Sequence, residues 1–389
     1  MNMQDTIRNQ LAELVALPSV SSLDTNFDMS NVAVVDRLSD WFTDAGFDIR
    51  IQEVCESPHK QNLIAHLGDG RGDAAGGGLV LSGHTDTVPY DTTRWDSDPF
   101  ELCEKDGAWY GLGSADMKVF FPCVLAALES IDRRRLKRPL TVLATADEES
   151  TLAGVRRIVE QGTPLGRFAV IGEPTQLVPI FKHKGVVIGR IHLQGRSGHS
   201  SDPALGANAL DAMHDVLGQL KQWREEAAGR FRDENFKVPV PTMNFGAING
   251  GDSPNRICAE CELLFDIRIM PGMDIDAALE ELNALVTSVS REHGVTGICE
   301  MPILPMPPME TDADSLLVQH LVELSGNQPQ TVAFGTEGPF LNQLGCETVI
   351  FGPGNIATAH QPNEYVEIER TTRMVEILEQ VIVRFCCDE

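Results

Sequence analysis

Ser82-Gly83-His84-Thr85-Asp86-Thr87-Val88-Pro89 is the stretch whose reading decides the fold. The uncharged apolar run 79–81 leads straight into it, the pattern of a buried strand that delivers polar side chains at its carboxyl end. His84 is of a metal-ligand type. Alternation along a strand puts Asp86 on the same side, where its carboxylate can hold the far imidazole nitrogen, fix the tautomer and raise the basicity of the ligand nitrogen. A single His-x-Asp is more often a hydrogen-bonded surface pair. The weight comes from the carboxylates and the histidine that follow at other strand ends.

A chain of 389 residues exceeds what one core usually supports, so two domains are expected. The net charge of −26 argues against phosphate backbones and anionic membranes, so neither nucleic acid nor a membrane is an expected partner. Nine scattered cysteines read as reduced thiols rather than a disulfide frame. The Cys258-Ala-Glu-Cys261 spacing has no second Cys or His pair near it and reads as structural. Met1-Asn2-Met3-Gln4-Asp5 lacks the basic start and apolar core of a signal peptide, and the longest apolar run, 119–128, contains Pro122 and is too short to cross a bilayer. The expected location is the cytoplasm.

Helical spacing predicts helices over 5–17 and 31–44, followed by strands over 47–54, 62–67 and 79–82. The glycine-rich 68–78 connects two strands and opens no helix, so it reads as a turn rather than a phosphate loop. Helix 117–131, strand 140–146, helix 151–161 and strand 168–172 continue a strand–helix alternation. That alternation implies an α/β domain with a mostly parallel sheet flanked by helices. At Lys182 the order changes to strand 186–193, helix 207–223, strands 242–248 and 257–269, helix 275–290 and strand 295–301. This is the βαββαβ order of a ferredoxin-like unit. A proline-rich segment then returns the chain to helix 315–324, strand 347–351 and helix 371–385. The expected organisation is one α/β domain, 1–180 with 305–389, and an inserted domain at 181–304.

Further carboxylates and a histidine stand where strands should end: Asp116 after a glycine-rich turn, Asp147-Glu148-Glu149 after 140–146, Glu173 after 168–172, and His360 beyond 347–351. Any one of them reads as a helix cap or a solvated turn. Together they repel unless cations compensate them. Two His, one Asp and two Glu let two ions take three ligands each through one bridging carboxylate. Mixed N/O donors without thiolate suit zinc, cobalt or manganese, in a dinuclear site able to activate water and polarise a carbonyl. Adjacent Glu148 and Glu149 cannot both point one way from an extended segment. One is then a ligand and the other, Glu148, the base.

Gly83-His-Thr-Asp86-Thr-Val-Pro89, Gly113-Ser-Ala-Asp116-Met-Lys118, Ala146-Asp-Glu148-Glu149, Gly172-Glu173-Pro174, Gly198-His199-Ser200 and Ala359-His360-Gln361-Pro362 occur in order along the chain. In this the chain resembles the di-zinc aminoacyl deacylase and peptidase family over nearly its whole length. The resemblance implies two divalent ions, Zn2+ first with Co2+ as the alternative. His84, Asp116 and Glu173 would hold one, and Glu149, Asp116 and His360 the other, with Asp86 orienting His84 and Glu148 as general base. It also implies a homodimer whose inserted domain is lid and dimer surface, with His199 reaching the partner's site to stabilise the oxyanion.

Lys184, Asn255 and Arg268 match positions that bind the substrate carboxylate in relatives, and Glu337 is a candidate for attracting an ornithine ammonium. The expected reaction on a small acyl-amino-acid substrate is removal of acetate from N2-acetyl-L-ornithine in arginine biosynthesis. The alternatives are desuccinylation of succinyl-diaminopimelate, a broader N-acyl-amino-acid deacylation, or a non-catalytic binding role. Val119 departs from the glycine expected after Lys118, and a β-branched residue there could narrow the approach to Asp116 or shift its helix.

Overall fold

Leu79–His84 is buried along its whole length and pairs in parallel with a strand on each side, Leu140–Thr145 and Phe168–Ile171. A strand with no exposed face must read as a continuous apolar run, as this one does. The computed structural model describes residues 2–68 and 77–387, and most of the turn expected at 68–78 lies outside them. Glu347–Ile350 adds in parallel to Phe168–Ile171. On the other side His59–Leu67 and then Asp48–Glu56 add antiparallel. The order is Asp48–Glu56, His59–Leu67, Leu140–Thr145, Leu79–His84, Phe168–Ile171, Glu347–Ile350, with Ile180–His183 beyond.

Helices cover this sheet through apolar stripes at helical spacing. Met3–Val15 buries Ile7, Leu11, Leu14 and Val15, and its Asn2 cap accepts a hydrogen bond from the Asp5 N–H. Phe120–Glu129 is buried from Phe120 to Leu128 because it packs against both Met3–Val15 and Ile368–Ile382. Each such large apolar side chain contributes about 1.5–3 kcal/mol through burial. This helix starts three residues later than the sequence pattern suggests. Residues 114–118 form an irregular turn, with Asp116 extended at φ −122° and ψ 90°. A three-stranded sheet of Tyr365–Glu367, Ala108–Tyr110 and Cys103–Lys105 was also not anticipated, since three-residue strands carry too little alternation to register.

The chain divides into two compact units, Met1–Phe181 with Glu310–Gln330 and Thr336–Glu389, and Lys182–Met309 with Thr331–Gly335. Residues 305–309 and 331–335 had been expected in the first, and Phe181 in the second. In the second unit four antiparallel strands run in the order Thr242–Gly250, Glu260–Ile269, Gly185–Gln194, Thr296–Glu300. Helices Ala209–Arg230 and Ile275–His293 complete the βαββαβ order. Strict alternation of burial along Glu260–Ile269 shows one covered and one open face. Among the described residues no helix is long and apolar enough to cross a membrane.

Candidate metal centre

The carboxyl ends of the four parallel strands converge, and each delivers polar side chains. His84 ends its strand, Asp147-Glu148-Glu149 follows Leu140–Thr145, Glu173 lies two residues past Phe168–Ile171, and His360 lies in the loop after Glu347–Ile350. Asp116 enters from the irregular turn. Its Oδ1 lies 3.1 Å from His84 Nε2 and its Oδ2 3.1 Å from His360 Nε2. Glu149 Oε1 stands 2.9 Å from His360 Nε2, and Glu173 Oε1 3.9 Å from His84 Nε2. One donor atom each of His84, Asp116 and Glu149 falls within 4.8 Å of the others, and so does the set His84, Glu148, Glu173. The close approach depends on Gly83 and Gly172, each just before a site residue. A Cβ on Gly83 would lie 2.7 Å from Met117 Cε, and one on Gly172 would overlap the Phe120 ring.

Burial and mutual repulsion push Glu173 and Glu148 well above the usual carboxylate range, and Glu149 above it. Asp116 resists the same burial because both imidazoles bond to it, and it stays below that range. Bonds to Asp116 and Glu149 lift His360 to about 11. Burial pulls His84 down, but Asp116, Glu173 and Asp86 outweigh it, and the net shift is well upward. Glu173 Oε1 is buried without a protein hydrogen-bond partner. An orphaned carboxylate oxygen among crowded carboxylates, with two imidazoles sharing one Asp, is a donor set that suits cations. The N/O donors fit Zn2+, Co2+ or Mn2+.

Residues 80–384 match the description Peptidase family M20/M25/M40. The chain belongs to that family. It is 46% identical over 376 residues to the acetylornithine deacetylase of Klebsiella pneumoniae (strain 342), covering 96% of each. It is 45% identical over 378 residues to the acetylornithine deacetylase of Yersinia pseudotuberculosis serotype O:1b (strain IP 31758), again covering 96% of each. A tripeptidase from Staphylococcus aureus shares the fold with a TM-score of 0.75 at 19% identity, over 98% of this chain and 99% of that one. A dinuclear metal-binding M20 peptidase from Bacillus subtilis does so at 0.66 and 14% identity, over 98% and 99%.

In this M20 chain Asp86 lies beside His84 and makes its hydrogen bonds to the Glu pair as well. Its carboxylate lies 3.8 Å from His84 Nδ1, and the hydrogen bond to that nitrogen comes instead from the Asp86 backbone carbonyl at 3.0 Å. The carbonyl can only accept, so Nδ1 carries the proton and Nε2 is left to face Asp116. The carboxylate accepts the backbone N–H groups of Glu148 at 3.2 Å and Glu149 at 3.0 Å. Asp86 thus orients both residues of the Glu pair through their backbone. On the other side Asp147, at φ 57°, is held by Ser21 Oγ at 2.8 Å and by the buried Lys60 ammonium, which also binds Asp28 at 2.7 Å.

Two buried glutamates complete the surroundings. Glu364, missed in the sequence, accepts three backbone N–H groups of the Asp116 turn. Burial and the Asp116 charge push it up to about 8, a shift that bound cations would oppose. Glu337 is 1% exposed, and burial pushes it up to about 7. Its Oε2 accepts from Ser82 Oγ at 3.4 Å, and its Oε1 has no hydrogen-bond partner. Val119 is buried in the core at φ −61° and ψ −24°, an ordinary helical conformation that requires no glycine.

The remaining expected site residues all belong to the second unit. Lys184 donates to the Val240 carbonyl at 2.7 Å and lies near enough to Arg268 for its pKa to be lowered, by burial first and by that charge second. His199 is exposed, and its Nδ1 faces the Ser201 hydroxyl at 2.8 Å. Ser200 N–H donates to the Asn255 carbonyl at 3.1 Å, so His199 and Asn255 lie on paired segments. These segments continue past the Glu260↔Gln194 pair, whereas Arg268 and Lys184 lie at the Arg268↔Val186 end. Eight residues at about 3.3 Å each put about 26 Å between the two ends. Asn255 and Arg268 of one chain are therefore too far apart to hold the same small carboxylate.

Proposed function

We propose that this M20 hydrolase removes acetate from N2-acetyl-L-ornithine, as a homodimer, in cytoplasmic arginine biosynthesis. The observation that carries the chemistry is the Asp116 carboxylate, whose two oxygens each meet a different imidazole at 3.1 Å. His84, Asp116 and Glu173 would hold one divalent ion, and Glu149, Asp116 and His360 the other, with Zn2+ preferred and Co2+ possible. Bound there, the ions supply Lewis acidity to the attacking water and to the acetyl carbonyl. Glu148, its backbone fixed by Asp86, takes the water's proton and hands it to the leaving amine.

Support for the acetylated substrate comes from the two deacetylases that match at 45–46% identity over 96% of their length. Arg268 and Lys184 form a cationic pair for the α-carboxylate. His199 and Asn255, remote from that pair in their own chain, would serve the site of the partner subunit, with His199 stabilising the oxyanion. The unpartnered Oε1 of Glu337 would attract the ornithine ammonium. A succinyl group would instead bring a carboxylate to a centre already crowded with them. Losing an ionic partner in a dry site costs roughly 2–5 kcal/mol, so kcat/KM for acetylornithine should exceed that for succinyl-diaminopimelate by at least about 100-fold. Comparable values would remove the substrate assignment, and full activity in protein shown by elemental analysis to hold no metal would remove the chemistry.

A further inference from the structure

Glu364 is 2% exposed, yet among the described residues no side-chain cation bonds to it. Its Oε1 accepts the N–H groups of Ala115 at 2.8 Å and Asp116 at 2.9 Å, and its Oε2 accepts that of Gly113 at 2.9 Å. Its own carbonyl accepts the Gly111 N–H at 3.0 Å and the Ser114 hydroxyl at 3.4 Å. One residue thus gathers most of the polar groups of the turn that carries Asp116. The nearest buried ammonium, Lys118, is spent on the carbonyls of Leu14 and Leu17.

Glu364 also belongs to the loop that carries His360, four residues earlier. The next residues pair with the strand leading into the Asp116 turn: Tyr365 with Tyr110, Val366 with Trp109 and Glu367 with Ala108. Thr358 Oγ donates to the Tyr365 carbonyl at 3.2 Å, closing the loop around His360. Asp116 and His360 are 244 positions apart in the chain but within 3.1 Å in space. Besides that side-chain contact, the carboxylate–amide clamp and the short sheet tie the two segments together.

We infer that Glu364 is a positioning residue that sets Asp116 against His360, and so shapes the cation position that these two share with Glu149. The inference rests on the dinuclear reading above. Two carboxylate oxygens are needed for three N–H donors, so a glutamine would turn an NH2 donor toward at least one of them and open the clamp. An aspartate keeps the charge but lacks the reach. Outer partners of metal ligands typically matter by about 10–100-fold in affinity.

The test is calorimetric titration of metal-free wild type, Glu364→Gln and Glu364→Asp with Zn2+, with bound ions counted by elemental analysis and folding checked by circular dichroism. Wild type should bind two ions. Glu364→Gln should bind one of them about 10–100-fold more weakly and the other within a few-fold of wild type, and excess Zn2+ should restore its kcat. Glu364→Asp should follow with a smaller loss, and it decides the matter if the glutamine variant does not fold. Wild type holding fewer than two ions would break the dinuclear reading itself. Two ions in wild type with unchanged affinities in the folded variants, or an equal loss at both positions, would overturn the role of Glu364.

Discussion

Glu281 of the second unit and Glu173 of the first are both carboxylates beside nitrogen atoms, yet their protonation is pushed in opposite directions. Glu281 meets the Arg230 guanidinium at 2.8 and 2.9 Å and the Trp223 indole N–H at 2.6 Å, which hold it down at about 2 against a small cost of burial. Glu173 has no hydrogen-bond donor at Oε1 among the described residues, His84 Nε2 stays 3.9 Å away, and burial with the neighbouring carboxylates drives it well above its usual range. Glu337 and Glu364 are shifted the same way, to about 7 and about 8. Glu281 is placed where folding satisfies it. Glu173, Glu337 and Glu364 are placed where folding leaves them short of positive charge, which is how a cation-binding centre differs from a structural ion pair.

The largest effect should come from the crowded group proposed as base rather than ligand. Glu148→Gln should retain both ions by elemental analysis while kcat falls by at least about 10²–10⁴-fold. Loss of metal from this variant, but not from Glu149→Gln, would reverse the two roles. On the proposal that each site combines groups of two chains, mixing Glu148→Gln chains with His199→Ala chains should return about one working site per mixed dimer. No recovery in confirmed mixed dimers would count against that crossing.

Next in size is the cost of burying Glu337. Its folded pKa of about 7 lies above the ordinary 4.5, so below pH 4.5 the group is neutral in both states and costs nothing. As pH rises from 4.5 to about 7 the unfolded chain ionises first and stability is lost, by at most about 3 kcal/mol. In metal-free protein Glu337→Gln should therefore flatten the fall in urea stability between pH 5 and pH 8. An identical fall in variant and wild type would mean that Glu337 is not a buried, unpaired acid.

The smallest effect belongs to Glu281, whose pKa is depressed and whose side chain is 41% exposed. Its contribution is present above pH 4.5 and fades as pH falls toward about 2. Screening keeps an exposed pair within roughly 0.2–1 kcal/mol, so Glu281→Gln should lower stability slightly at pH 7 and not at all near pH 2. Activity should not change. A greater loss of stability near pH 2 than at pH 7 would remove the contrast between the units.

The centre was legible because ligand types cluster at strand ends. His84, Asp116, Glu149, Glu173 and His360 each stand just past a readable strand or turn, and geometry brings all five together. Asp86 was expected to orient His84, and its carboxylate does lie 3.8 Å from that ring. Strand alternation places its side chain near His84, and beyond the strand end the same carboxylate also accepts the Glu148 and Glu149 amides. Glu364 and Lys60 left no local signal, since a buried charge resembles a surface one until its neighbours are known.

Sequence alone determined the α/β class, the βαββαβ insertion and the donor chemistry, because apolar periodicity and residue type are properties of short segments. Tertiary structure alone decided which atoms do the holding. Glu364 meets Asp116 across 248 residues and Lys60 meets Asp147 across 87. No local propensity encodes partners that distant. They meet because the apolar faces of many segments pack at once, and a buried carboxylate or ammonium then takes whatever hydrogen-bonding groups that packing leaves within reach.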